Sequence, residues 1–193
     1  IGALHGDNES RNMRLNLQCH PMTPQSAIDQ ITVEWSMSET GVIWLRYHAD
    51  GNVGEVRLPD DLDQSGRMDD LWQNTCFELF LGEPGTERYS EFNFSPSGNW
   101  AAYGFDHYRD GMNPLALAQP PEIYMDFSDT HMALEVTFGL PDMRVGQEFD
   151  AGLSAVIEMQ NGEKSLWALA HPAANPDFHH RNGFTLKMEA AER

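Results

Sequence analysis

Two acids in neighbouring strand-like runs, Glu78 in CFELFL and Glu91 in YSEFNF, carry the clearest chemical signal in the chain. Both runs alternate apolar with other residues, and Gly82-Glu83-Pro84-Gly85 between them is turn-forming, so they read as an antiparallel hairpin. With Leu81 set opposite Arg88, Phe77, Leu79, Phe92 and Phe94 share one face. Cys76, Glu78, Phe80, Tyr89, Glu91 and Asn93 share the other. This register places Glu78 directly across from Glu91, where like charges cost stability unless something relieves them. Phe80 and Tyr89 beside them indicate a partly covered surface, on which bare charge is expensive. Arg46 and Arg109 are the candidate relieving cations. Acids and an amide among aromatics suit recognition of a polar ligand. The same two carboxyls would suit glycoside hydrolysis if they stood ~5 Å or roughly 6.5–9.5 Å apart.

Further candidates flank this hairpin. Trp72 precedes the first strand and Trp100 follows Pro96-Ser97-Gly98-Asn99, and an indole beside polar groups suits the flat face of a sugar. Trp35, Trp44 and Trp167 fall inside strand-like runs and are assigned to packing. A late loop, HPAANPDFHHRNG, gathers His171, Phe178, His179 and His180 with Asp177, types that fit a ligand site, a metal site or proton transfer. The spacing Asp61-x-Asp63-x-Ser65-Gly66 matches the first half of an EF-hand calcium loop, but Trp72 stands where the bidentate Glu belongs. That leaves either a less regular calcium site at Asp61 and Asp63 or a solvated acidic loop. Cys19 and Cys76 have no CxxC spacing and are expected as free thiols.

These side chains need strands to hold them. Period-two alternation marks runs at Leu15–Cys19, Ile31–Met37, Val42–His48, Ile123–Phe127 and Met132–Phe138, with a shorter run at Gly54–Leu58. LSAVIEM is apolar on both faces, as expected of an interior strand, and Asn161-Gly162 is a strong hairpin turn before SLWALA. FTLKM closes the chain. About twelve short strands with no amphipathic helix predict an all-β fold, an antiparallel two-sheet β-sandwich of jelly-roll or immunoglobulin-like type. A helical turn at Pro114–Ala118 is compatible with it. Residues 1–13 are polar and unpatterned and are expected as a loosely held tail, with 14–193 forming one domain.

The 193 residues carry a net charge of −18, which opposes binding to nucleic acid or to anionic membranes. No apolar run reaches the ~20 residues of a membrane span, and no leader pattern precedes the first strand. The expectation is a soluble protein of cytoplasm or periplasm.

Trp72, then Glu78 in ELFL, then YSEFNFSPSG together resemble the DOMON-like superfamily that includes the family-9 carbohydrate-binding modules. The likeness is strongest over Leu71–Trp100 and runs on weakly through WALAHP and the PDF-His segment, which look like an uncharacterised bacterial branch. It implies a β-sandwich whose sugar site combines two aromatic rings with charged and amide side chains, and calcium ions of structural use. Trp72 matches the first aromatic and Glu78 the first acidic contact. The second aromatic of the family is typically Trp, whereas here the corresponding loop offers Phe178, His179 and His180. The superfamily also includes haem-binding members that use Met with His or Lys.

The combined expectation is a non-catalytic module that binds a carbohydrate or similar small polar ligand through Trp72, Glu78, Glu91, Asn93, Trp100, Arg109, His171, Phe178 and His179. No cofactor is expected beyond structural calcium. The alternatives are a hydrolase using Glu78 and Glu91, and a haem or redox module.

Overall fold

A computed structural model describes residues 14–23, 26–62, 64–141, 144 and 146–189; the expected tail, 1–13, lies outside them. Among the described residues twelve strands form, all but β7 on runs where alternation predicts them: β1 Leu15–Cys19, β2 Ile28–Met37, β3 Val42–Gly51, β4 Cys76–Gly82, β5 Tyr89–Phe94, β6 Trp100–Phe105, β7 Asn113–Pro114, β8 Glu122–Phe127, β9 His131–Gly139, β10 Glu148–Glu158, β11 Lys164–Ala168 and β12 Leu186–Glu189. The Gly54–Leu58 run differs from expectation. It is a 3-10 turn, Val53–Glu55, followed by a lone bridge from Val56 to Met159. The helical turn anticipated at Pro114–Ala118 does not form either, because Asn113 and Pro114 pair with β6 instead.

Every ladder is antiparallel, and the strands run in the order β7-β6-β5-β4-β10-β11-β1-β2-β3-β9-β8, with β12 on β10. The sheet curls over into two layers at β1. Leu15, Asn16 and Leu17 pair with β2, whereas Gln18 and Cys19 pair with β11, so one short strand serves both layers and makes the corner of the sandwich.

Alternation decides what lies between the layers. Ile43, Leu45 and Tyr47 of β3 and Leu134 and Val136 of β9 are fully buried against Phe77, Leu79, Phe92 and Phe94. Phe138 reaches across to Phe92 at 4.9 Å and to Phe94 at 5.4 Å. Trp100 and Ala102 of β6 point into this core as well. Cys19 and Cys76 are free thiols, Cys76 being buried.

One polar contact crosses the apolar interior. The Tyr47 hydroxyl donates to the Glu78 carbonyl at 2.6 Å, with the ring 5.1 Å from that of Phe77. A buried donor of this kind ties the back layer to the strand that carries Glu78. Tyr47→Phe should lower stability by about 1–2 kcal/mol, since it removes a buried bond while keeping the ring. Urea denaturation at neutral pH measures it, and an unchanged midpoint would show that the bond contributes nothing.

Candidate functional site

The outer face of β10, β4, β5 and β6 bears the predicted residues in cross-strand rows. Ser154, Glu78, Asn93 and Ala101 form one row; Gly152, Phe80, Glu91 and Tyr103 form the next; Asp150, Gly82, Tyr89 and Phe105 form the third. The two faces of the hairpin are those expected, but its register is not. Gly82 stands opposite Tyr89 and Glu78 opposite Asn93, so the loop is Glu83–Arg88 and Glu91 lies diagonal to Glu78. A shift of two residues preserves both faces and replaces a direct carboxylate pair with a carboxylate and an amide.

Two segments cover these rows. The 3-10 turn Leu71–Gln73 packs Leu71 into the cluster that holds Cys76, Phe80, Ala101 and Tyr103, and leaves Trp72 51% exposed at the rim. From the other side, the loop between β11 and β12 lays Phe178, His179 and Phe184 over the face. Glu78 is thereby left 2% exposed, Glu91 6% and Asn93 0%.

Both buried carboxyls accept a side-chain hydrogen bond. Ser154 Oγ donates to Glu78 at 3.0 Å, and Asn93 Nδ2 donates to Glu91 at 2.7 Å. Asn93 Oδ1 is buried with no partner among the described residues. The backbone N–H of Arg109 donates to the Tyr89 hydroxyl at 3.0 Å, and that hydroxyl lies 2.8 Å from His179 Nδ1. With Nδ1 as the acceptor of the Tyr89 proton, His179 carries its own on Nε2, the nitrogen that faces Glu91 at 3.7 Å. At the rim, Arg109 pairs with Asp177 at 2.9 Å and Tyr108 donates to the same carboxylate at 2.6 Å. Tyr103 donates to Asp69 at 2.6 Å.

Burial sets the protonation of this face. Loss of solvent, then the charge of Glu91, pushes Glu78 up from 4.5 to about 8, against the pull of Ser154. Glu91 is raised as well by burial, opposed by Asn93 and Arg109. Burial and the nearby Arg109 cation push His179 down from 6.5 to about 4, so its ring is neutral.

Other expected residues fall elsewhere. Trp100 belongs to the interlayer core at 8% exposure, because β6 turns it away from the rows that hold Glu91. His171 contacts the ring of His20 and the Gln18 carbonyl beside β1. Arg46 lies on β3 in the back layer, paired between Glu34 and Glu135, and is no partner of Glu78. Arg109 does reach the site. Asp61 is exposed and accepts a bond from Gln64, while its expected calcium partner Asp63 lies outside the described residues. Among the described residues no group of three or more His, Cys, Asp or Glu side chains gathers that could hold a metal ion. Sequence reasoning missed Ser154, which sits unmarked in an apolar run, and the hydroxyls of Tyr89 and Tyr103 as bonding groups.

No family model matches the sequence, and comparison with curated proteins finds no match. Solved structures do match. A protein from Bacteroides uniformis ATCC 8492, provisionally described as carbohydrate-binding, superposes with a TM-score of 0.66 over 93% of this chain and 87% of its own, at 14% identity. A family-9 carbohydrate-binding module from Caldicellulosiruptor kristjanssonii with glucose gives 0.58 over 93% and 85%, at 6% identity. One with cellotriose gives 0.61 over 94% and 84%, also at 6%. The chain shares their fold. At these identities the likeness describes the sandwich and its strand path.

The shifted groups predict how stability follows pH. The folded state holds the Glu78 proton that the unfolded chain releases from about 4.5 upward, so that contribution is intact below 4.5 and lost as pH rises towards about 8. His179 opposes it: the unfolded ring takes a proton near 6.5 that the folded ring refuses until about 4, so its contribution is lost as pH falls through that window. The two offset each other between 4.5 and 6.5, and Glu78 acts unopposed by His179 from 6.5 to 8. Stability should therefore fall by on the order of 1–2 kcal/mol across that upper window, and Glu78→Gln should abolish the fall while keeping an acceptor for Ser154. Denaturation midpoints at a series of pH values test this; parallel profiles for parent and variant would contradict it.

Proposed function

We propose that this chain is a non-catalytic carbohydrate-binding module whose ligand stacks on Trp72 and bonds to the polar rim formed by Asp69, Arg109 and Asp177. The observation that carries the reading is the half-exposed indole on a turn packed against the acid-bearing face. An aromatic side chain left in water at the edge of a face that carries acids, with a guanidinium on its opposite rim, suits a sugar ring, which offers an apolar face of C–H groups and a rim of hydroxyls. Glu91 and Asn93 lie beneath and stiffen the site, and Asn93 acts on Glu91 rather than on a ligand. The bound glucose and cellotriose of the two family-9 modules sharing this fold support the same ligand class.

Burial argues against hydrolysis. A glycosidase places its two carboxyls on either side of the scissile bond, with substrate between them. Here both sit on adjacent strands of one face at 2% and 6% exposure, and Glu78 is occupied by Ser154. A bond to be cleaved has no place between them.

Titration calorimetry with glucose and cellotriose tests the proposal. The parent should bind, Trp72→Ala should lose at least tenfold in affinity, about 1.4 kcal/mol or more, and no reducing ends should be released on incubation with cellotriose. An unchanged affinity in Trp72→Ala would place the site elsewhere.

A further inference from the structure

The loop between β11 and β12 crosses the acid-bearing face as a strap, and two glycines of the sheet leave room for it. Gly82 has an ordinary extended backbone, so it is not required there by conformation. A Cβ at that position would fall 1.1 Å from Nη1 of Arg181. Gly152, which pairs with Phe80 on the next strand, plays the same part for Phe184, whose ring a Cβ would meet at 2.8 Å. Glycine in a strand weakens it, and close approach of another group is one reason to keep it.

Arg181 fills the gap beside Gly82. Its guanidinium lies 5.1 Å from the Phe184 ring centroid, donates to the Glu83 carbonyl at 3.2 Å and approaches Asp150 at 3.5 Å. Nη1 is buried with no partner among the described residues, a cost that the seat imposes. The strap residues just before it are those that reach the site. Asp177 takes Arg109 and Tyr108, and His179 takes Tyr89 and faces Glu91. Beneath the strap, between Phe80, Ser154, Asp177 and Phe178, the remaining cavity is only ≈ 10 Å³, so no sugar ring passes under it. A ligand meets the strap as a wall.

We propose that Arg181 is the positioning residue of this face: its guanidinium, seated where Gly82 carries no side chain, locks the strap and so holds Asp177 and His179 in register with Arg109, Tyr89 and Glu91. This rests on reading the face as the binding site, and the test separates the two. The first readout is the titration of the His179 ring by NMR, whose charged or titratable neighbours are Glu91, Tyr89, Asp177 and Arg109. In the parent the midpoint should lie near 4. Arg181→Ala and Gly82→Ala should each raise it by at least about one pH unit towards the ordinary value of ~6.5, because an unlocked ring returns to water. Gly82→Ala should add nothing to Arg181→Ala, since both act through the same seat. Lys187→Ala, which also removes a cation from Asp150 but touches no strap residue, should leave the midpoint unchanged. If Arg181→Ala does not fold, Arg181→Lys keeps the charge without the planar fork and should show the same rise. An unmoved midpoint in folded Gly82→Ala and Arg181 variants, or additive shifts in the double variant, would overturn the assignment. Cellotriose affinity is read alongside. Unlocking variants should lose at least tenfold if the parent binds, whereas a parent that does not bind counts against the carbohydrate reading and leaves His179 to decide Arg181.

Discussion

Glu78 and Glu91 hold their carboxyl groups almost out of water on neighbouring strands, and the outer face of the front layer is arranged around that proximity. Two such groups cannot both be bare charges at short range. The hairpin register separates them by setting Asn93 opposite Glu78 and Phe80 opposite Glu91. Ser154 and Asn93 each supply one donor, and the neutral His179 presents its Nε2 proton to the second acid. Glu78 keeps its own proton up to about pH 8, which removes the remaining repulsion over most of the accessible range.

A run of close contacts leads from the Arg109 backbone through the Tyr89 hydroxyl to His179. The backbone N–H donates to the hydroxyl at 3.0 Å, and with Nδ1 as the acceptor of the hydroxyl proton at 2.8 Å the neutral ring keeps its own hydrogen on Nε2. The strained backbone at Arg109, with φ of 53°, is the geometry that aims this N–H at Tyr89. Aromatic rings then shield the assembly: Phe105 stacks on Tyr89 at 4.6 Å, and Phe80 meets His179 edge-on at 5.2 Å. Interior groups thus organise the face, while Trp72, Asp69 and Arg109 stand on its solvent side.

This arrangement depends on the back layer as well. Tyr47 spends its hydroxyl on the backbone of Glu78, so the strand bearing the first acid is anchored from within the core while its side chain looks outward. β1 keeps the two layers in one continuous sheet by pairing with β2 at one end and β11 at the other. The acid-bearing face lies on the outside of the sandwich, and the interlayer core needs none of its residues. Trp100 shows the division, sharing the strand of Tyr103 and Phe105 but facing the other way.

By itself the sequence determined the strands other than β7, the core faces of nearly all of them and the company of Glu78, Glu91 and Asn93 with Phe80 and Tyr89, because a half-buried strand must alternate and the alternation is written in the residue types. It did not determine the hairpin register. A shift of two leaves every side chain on the same face, so periodicity cannot see it, and the choice falls to the like-charge penalty and to the closure of the Glu83–Arg88 loop. It also did not reveal Ser154 beneath Glu78 or the seat that Gly82 offers to Arg181, since both join segments far apart in the chain. Those contacts exist only once β10 has paired with β4 and the strap has crossed the sheet. Long-range pairing brings such groups together, and local pattern carries no record of it.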